Sequence, residues 1–288
     1  MRRKDRGPSP ESHKSLVAKS YDDYVLAYSE RSEMQTQNLL NLLQYARSQC
    51  VSIAGKILDV GCGCGAAGRL LLAGYPARIE YAGVDLSAGM LAQATRLLPR
   101  AGTLLHADAE RLPFENASFD FVLSNSVYHW LNAPEIGLTP ELAWSEAYRV
   151  LKKGGYLLFS IAGRGTARVF QACYRQLAER FRGSHDFYEH LYRDDPLGCM
   201  GLDEVERMLS NVGYTIIYST HDYEPLLFGD AAGYVDAVEA YGYEMYLEAF
   251  TDEMKPSVWR QIRNEFVKSV GPGAYTQDQF MIYVIAKK

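Results

Sequence analysis

The chain has 288 residues, 48% of them hydrophobic, and a formal net charge of −5. That length can bury one sizeable core, or a core with a smaller lid, and the acidic balance argues against a protein held on nucleic acid by neutralising phosphates. Five cysteines, an odd and small number, do not make a disulfide framework and point to a reducing cytoplasm.

The opening residues MRRKDRGPSPESHKS are charged, contain Pro and Ser, and lack the apolar stretch of a secretory signal; they read as a mobile tail over 1–15. A helix is expected at about 34–50. Short apolar runs follow: KILDV (56–60), YAGVD (81–85), GTLLHA (102–107), FDFVLS (119–124) and GYLLFSI (155–161). They read as buried strands of a parallel sheet. Helical patterns lie between them at about 64–73, 87–98 and 140–151, with Ser87 as an N-cap and KKGG (152–155) as a stop. Strand–helix alternation of this kind predicts a doubly wound α/β sheet.

Further on the pattern changes. A helical block is expected at about 165–193 and a helix at 202–211, then a strand YTIIYST (214–220), helices at roughly 230–250 and 252–269, and a last strand FMIYVIAKK (280–288). The chain returns to the sheet after each block, which predicts a single domain over 16–288. Cover segments at about 16–50, 162–200 and 222–278 would lie over the carboxyl edge of the strands, where open α/β sheets bind ligands. The longest apolar runs, such as YLLFSIA, are too short to span a bilayer.

The glycine turn after the first strand, ILDVGCGCGAAGRL (57–70), allows a tight turn and a ligand pressed against the main chain. Alone, GCGCGA also satisfies a dinucleotide-binding pattern, with Asp85 at the spacing of a ribose-binding acid. Asp59, just before the first glycine, would repel a pyrophosphate and attract a cationic group. With Asp108 it completes three acids at three successive strand ends, suited to an amine, a ribose diol and an adenine amino group. Cys62 and Cys64 have no nearby Cys/His cluster to complete a metal site and read as small fillers of the turn. Cys173 and Cys199 do not have the spacing of a soft-substrate thiol site. No metal is expected.

Taken together, ILDVGCGCG, GVDLSAGML, HADAERLPF, FDFVLSNSVYHW and AYRVLKKGGYLLFS resemble the class I S-adenosylmethionine-dependent methyltransferases of the small-molecule type. The resemblance runs from about residue 20 to 161 and returns with the last two strands, and implies a mostly parallel seven-stranded sheet, S-adenosylmethionine as cofactor and S-adenosylhomocysteine as product. It implies that Asp59, Gly61, Cys62 and Gly63 hold the methionine moiety. Asp85 takes the ribose hydroxyls, with Leu86 and Met90 against the adenine, and Asp108, Ala109 and Glu110 meet the adenine edge. The Ser124 carbonyl, with Asn125 beside it, takes the methionine amine. YDDYVLAYSER (21–31) resembles a segment that closes over the cofactor through Tyr21 and Tyr28.

Beyond the cofactor the residues leave alternatives open. SNSVYHWLN (124–132) lies where catalytic groups sit in this architecture, and lacks the Pro-Pro-aromatic pattern of DNA amino-methylating enzymes. His129, with Tyr128 beside it, is a candidate general base; it is equally a core residue packed with Trp130. In YVDAVEAYGYEMYLEAF, Tyr234, Val238, Tyr241 and Met245 share a helical face that either packs on the sheet or walls a substrate pocket. In HDFYEHLYRDD (185–195), Tyr188, Tyr192 and Arg193 are substrate candidates, although Arg193 is also placed to pair with Glu189 or Asp194 at the surface. SNSVYHWLN and the helical insertion are similar to the malonyl-carrier-protein and trans-aconitate methyltransferases, which implies carboxylate O-methylation; N- or C-methylation in natural-product biosynthesis is the alternative. A nicotinamide-dependent oxidoreductase or a non-catalytic cofactor-binding assembly factor are the readings from other classes. The expected partner is a small-molecule or acyl-carrier-bound substrate, with no nucleic acid or membrane.

Overall fold

The apolar runs pair as strands in a computed structural model that describes residues 9–23, 25, 33–74, 79–98, 102–189, 192–240 and 243–288. Tyr28 and Tyr241 lie outside the described residues. The strands are β1 (Gly55–Val60), β2 (Ile79–Asp85), β3 (Thr103–His106), β4 (Phe119–Asn125), β5 (Leu151–Ala162), β6 (Thr215–Tyr223), β7 (Leu226–Phe228), β8 (Tyr275–Gln277) and β9 (Phe280–Lys287). Seven form one sheet in the order β3-β2-β1-β4-β5-β9-β6. β1 to β5 pair in parallel, and β9 runs antiparallel to both its neighbours. β7 and β8 make a separate antiparallel pair.

The helices are α1 (Pro10–Asp23), α2 (Glu33–Ser48), α3 (Ala66–Gly74), α4 (Ala88–Leu97), α5 (Glu141–Val150), α6 (Arg168–Glu179), α7 (Leu202–Val212), α8 (Ala231–Ala240) and α9 (Lys255–Val270). Alternation along each strand divides the sheet's side chains between two cores. On one face Val60, Val84, Val122 and Phe159 pack with Trp144 and Ala147 of α5 and Leu209 of α7. On the other Ile57, Leu123 and Tyr283 pack with Leu39 and Leu42 of α2 and Leu71 of α3. Each Val, Leu, Ile or Phe among them, fully buried, contributes about 1.5–3 kcal/mol.

A third core belongs to the cover. Phe170 of α6 meets Tyr246, Phe266 of α9 and Tyr234 of α8 edge-on, at ring-centroid distances of 5.1, 5.2 and 5.6 Å. Edge-to-face packing sets the negative ring face against a positive ring edge. The cover thus has its own aromatic interior.

Several expectations change in detail. The tail expected over 1–15 ends sooner: α1 starts at Pro10, a residue suited to a helix's first turn, and buries His13 and Lys14. KKGG does follow the end of α5 at Val150, but it lies within β5, which begins at Leu151 and has a register shift opposite Phe119–Phe121. The block at 165–193 is helical only through Glu179; beyond it Gly183 takes a φ of +74°. The helix expected over 230–250 stops at Ala240, and a separate short turn of helix covers Tyr243–Leu247. Gly242, a poor helix former, sits between them.

Candidate functional site

The strand order reverses at β1, with β2 on one side and β4 on the other. The chain leaves the two strand ends in opposite directions, so a crevice opens at their carboxyl ends. It is a cavity of about 820 Å³, mouth included, floored by Val60, Gly61, Gly63, Asn125 and Ser126. Gly61 and Gly63 have φ of +73° and +52°, a region that favours glycine. They differ in what faces them. A Cβ on Gly61 would run into Val127, whereas one on Gly63 would meet nothing within 4 Å. Gly63 therefore fronts open space inside the cavity, and a ligand can lie against its main chain.

Asp85 also faces this space. One of its oxygens accepts from the Gly63 N–H and the other from the Ser87 N–H, both at 2.8 Å. Burial pushes its pKa up, and those two N–H donors pull the other way. Each oxygen retains a lone pair for a further donor such as a ribose hydroxyl. Ser87 N-caps α4 by accepting from the Met90 N–H, as expected. That cap holds Leu86 and Met90 along the wall, where with Ala107 and Ala109 they form an apolar slot.

The far end of the slot is closed by a residue the sequence did not single out. Lys14 of α1 donates to Asp108 at 2.5 Å and to Glu110 at 2.6 Å. Burial opposes its charge, but the hydrogen bonds and charges of the two carboxylates outweigh burial and raise its pKa. Val17, Ala18 and Tyr21 continue the roof along the same helix. Asp22 fastens it by accepting from the Ser87 hydroxyl and the Gly89 N–H at 2.5 and 2.7 Å. His13 points the other way, toward Glu248 and the Trp130 carbonyl at 3.4 and 3.2 Å. The sequence marked this roof only through the resemblance that set Tyr21 over the cofactor; Lys14, Val17 and Ala18 share a 3.6-residue period with it.

Four expected cofactor residues do not line the cavity. Asp59 is 1% exposed and accepts from the Tyr81 hydroxyl at 2.6 Å. Burial raises its pKa to about 7, the Tyr81 bond lowers it, and the charge of Asp85 adds to the rise. It supports the turn from behind. Cys62 packs its sulfur over Gly83, where an added Cβ would come within 2.9 Å of it. Ser124 is fully buried, and its hydroxyl donates to the Val60 carbonyl at 2.9 Å. Asn125, one position on, takes the place at the cavity. Glu110 turns away to hold Lys14. Gly61, Gly63, Asp85, Leu86, Met90, Asp108, Ala109, Asn125 and Tyr21 all line the cavity.

A second cavity of about 880 Å³ adjoins the first, and Tyr21, Ser126 and Trp130 line both. The cover forms most of it: Ala162, Thr166 and Leu197; Phe228, Tyr234 and Val238. So the face carrying Tyr234 and Val238 serves both as core and as pocket wall. Two non-glycine residues in the left-handed region, Ser126 (φ 60°) and Ala167 (φ 55°), sit on this cavity. Such strain persists where the surroundings impose it, and it concentrates at ligand sites.

His129 lines this second cavity at 6% exposure, beside Trp130 with ring centroids 4.5 Å apart. Its Nδ1 accepts a long hydrogen bond, 3.5 Å, from the Ala162 N–H. The proton therefore rests on Nε2. Burial pushes the imidazole pKa down to about 3, which leaves it a neutral donor and a poor base. Tyr128 lines neither cavity: it is fully buried against Trp144 and Phe159, and its hydroxyl has no hydrogen-bond partner among the described residues.

The remaining substrate candidates fall elsewhere. Arg193 is buried, but it donates to Glu135 at 2.8 Å and to the Asn132 carbonyl at 2.9 Å, and lines neither cavity. It pairs with neither Glu189 nor Asp194. Tyr192 packs on Tyr174 and donates to Asp194 at 2.8 Å, under the Arg182 guanidinium. Tyr188 joins the chain near Ala249 through its backbone and is also outside both cavities. The sequence missed Lys14, Trp130 and Ser126, and the amides Gln35, Asn38, Gln277 and Gln279 of the second cavity.

The chain has relatives among known proteins. A methyltransferase-domain family model matches residues 58–159. The chain is 32% identical over 200 residues to a malonyl-[acyl-carrier protein] O-methyltransferase of Herminiimonas arsenicoxydans, covering 68% of this chain and 70% of that protein. It is 27% identical over 169 residues to one of Priestia megaterium, covering 58% of this chain and spanning only 59% of that relative's length. Among solved structures, a putative methyltransferase from Bacillus halodurans superposes with a TM-score of 0.56 at 21% identity, covering 88% of this chain and 99% of that one.

Proposed function

The chain belongs to the class I S-adenosylmethionine-dependent methyltransferases, and on that premise we propose that it transfers a methyl group to a small-molecule or carrier-bound acceptor held in the second cavity. The observation that carries this reading is the junction of the two cavities at Tyr21, Ser126 and Trp130. The first cavity fits the cofactor's chemistry. It has open space before Gly63, a carboxylate with free lone pairs at Asp85, an apolar slot for a flat base, and Asp108 at its end. When bound there, S-adenosylmethionine supplies a sulfonium-activated methyl, which an acceptor lone pair takes by in-line displacement while the old bonding pair stays on sulfur.

The chain's own residues then have mainly to position. Asp85 accepts the ribose hydroxyls, Leu86 and Met90 pack the base, and Asp108 accepts from the base's amino group while Lys14 screens its charge. Asn125 and Ser126 are set beside the methionine end. Tyr21 and Trp130 hold the acceptor against the junction. Proximity and alignment of this kind can lower a barrier by about 7–11 kcal/mol at most, so no catalytic triad is needed. His129, neutral at the cavity wall, donates a hydrogen bond. It does not take the acceptor's proton, which leaves to solvent.

The relatives' names favour a carboxylate on an acyl carrier as acceptor. The family match, however, ends at residue 159, and most of the second cavity is built from residues after it. Calorimetry with S-adenosylmethionine and with NAD tests the reading. Micromolar binding of the first and none of the second is expected, with Asp85→Ala weakening it at least tenfold. Binding of NAD alone would end it.

A further inference from the structure

The second cavity has a chemical character of its own. Among its described lining residues there is no lysine, arginine, aspartate or glutamate. The polar groups are uncharged: Gln35 and Asn38 of α2, Thr166, His129, and Gln277 and Gln279 at the end of β8. All six are less than 9% exposed, the four amides at 8% for Gln35, 1% for Asn38, 7% for Gln277 and 2% for Gln279. Asn38 is already engaged, donating to the Ser126 hydroxyl at 3.3 Å and accepting from Tyr283 at 3.4 Å. Two other amides each keep one open atom: Oε1 of Gln35 and Nε2 of Gln279 are buried with no hydrogen-bond partner among the described residues.

Leaving a buried amide group unmade costs about 1–3 kcal/mol, so two on one cavity mark a place where something else completes them. An amide can rotate to offer either its oxygen or its nitrogen, and the pair offers one acceptor and one donor. The remaining walls are apolar or aromatic, from Met34, Trp130, Leu197, Phe228 and Met281. An anion moved into such a space would lose its hydration without gaining a cation, at a cost of several kcal/mol. A cation would find aromatic faces but no carboxylate.

We propose that the part of the acceptor held in this cavity is electrically neutral and largely apolar, and that its polar end, a carboxamide-like donor–acceptor group, is recognised by Gln35 and Gln279. This rests on the methyl-transfer reading above and specifies its acceptor class; it excludes a free carboxylate as the group held at the two glutamines. The buried His129 imidazole is consistent with the same uncharged setting.

The test uses the full chain saturated with S-adenosylhomocysteine and three probes of one shape: 4-phenylbutanamide, 4-phenylbutanoate and 4-phenylbutylamine. Near neutral pH these are neutral, anionic and cationic. Affinities read by calorimetry should favour the amide by about tenfold or more over both ions. Gln279→Met should remove that preference with S-adenosylhomocysteine binding unchanged. Gln279→Lys, which supplies the missing cation, should turn it toward the carboxylate. Equal or tighter binding of either ion to the unmodified chain, or no binding of the amide, overturns the proposal. If S-adenosylhomocysteine itself does not bind, the methyl-transfer reading fails first.

Discussion

The two cavities are nearly equal in size, about 820 and 880 Å³, and opposite in construction. The first is made where successive parallel strands end, so each wall is a short contiguous piece of chain: 60–63, 84–90, 107–109 and 125–131. Charges face it, from Asp85, Asp108 and Lys14. The second is assembled from α1, α2, the loop after β4, the end of β5, α8 and the turn between β8 and β9. It faces only uncharged groups among its described lining residues. The difference teaches that a sheet edge imposes position on its loops, whereas a cover can be rebuilt around each acceptor without disturbing the cofactor.

The strongest way to break this contrast is at Gly63. A β-branched side chain at φ +52° is strained and would project into the open space. Gly63→Val should weaken S-adenosylhomocysteine binding by about a hundredfold, measured by calorimetry. Unchanged affinity would show that the ligand does not lie along this backbone.

Asp59 sharpens the boundary of the first cavity. Its proton is held up to about pH 7 in the folded chain but only to about 3.8 when unfolded. Ionising it therefore costs the folded state, so stability falls as pH rises from about 4 to 7, by on the order of 2–4 kcal/mol. Asp59→Asn, compared with the parent by urea unfolding, should flatten that part of the profile and be the more stable protein at about pH 8. A parent and variant with parallel profiles would contradict the burial assigned to this carboxyl.

Next in size is Lys14. Its removal leaves Asp108 and Glu110 uncompensated and loosens the roof that both cavities share. Lys14→Ala should lower S-adenosylhomocysteine affinity by about tenfold, mainly through faster release in stopped flow. The smallest effect is expected at Tyr128, whose hydroxyl is unpartnered among the described residues. Tyr128→Phe should change stability by no more than about 0.5 kcal/mol and leave methyl transfer as it was; a large loss of turnover would return Tyr128 to the site.

The first cavity was legible in the sequence for the reason that built it. A glycine turn after a strand, an acid at the next strand's end and a serine cap each carry their meaning within a few residues. Gly63 and Asp85 were singled out that way, and Met90 and Ala109 through the resemblance. Reading failed where side-chain direction decides. Asp59 is one step along the strand from Val60 at the cavity, and the pleat turns its side chain inward. It failed again where meaning is non-local: nothing near Gln35 announces Gln279. Lys14 was hidden by its setting, because PSPESHKS has the composition of a tail and gains structure only by packing. Arg193 illustrates the converse, since its neighbours in sequence are not its partners in space.

Helix α1 is fastened at three places: by Lys14 to the loop after β3, by Asp22 to the start of α4, and by His13 to Trp130 and Glu248. Tyr21 on the same helix borders both cavities. A rigid rod pinned in this way cannot uncover one chamber without disturbing the other. Any release of α1 from these three polar fastenings would therefore open both chambers together.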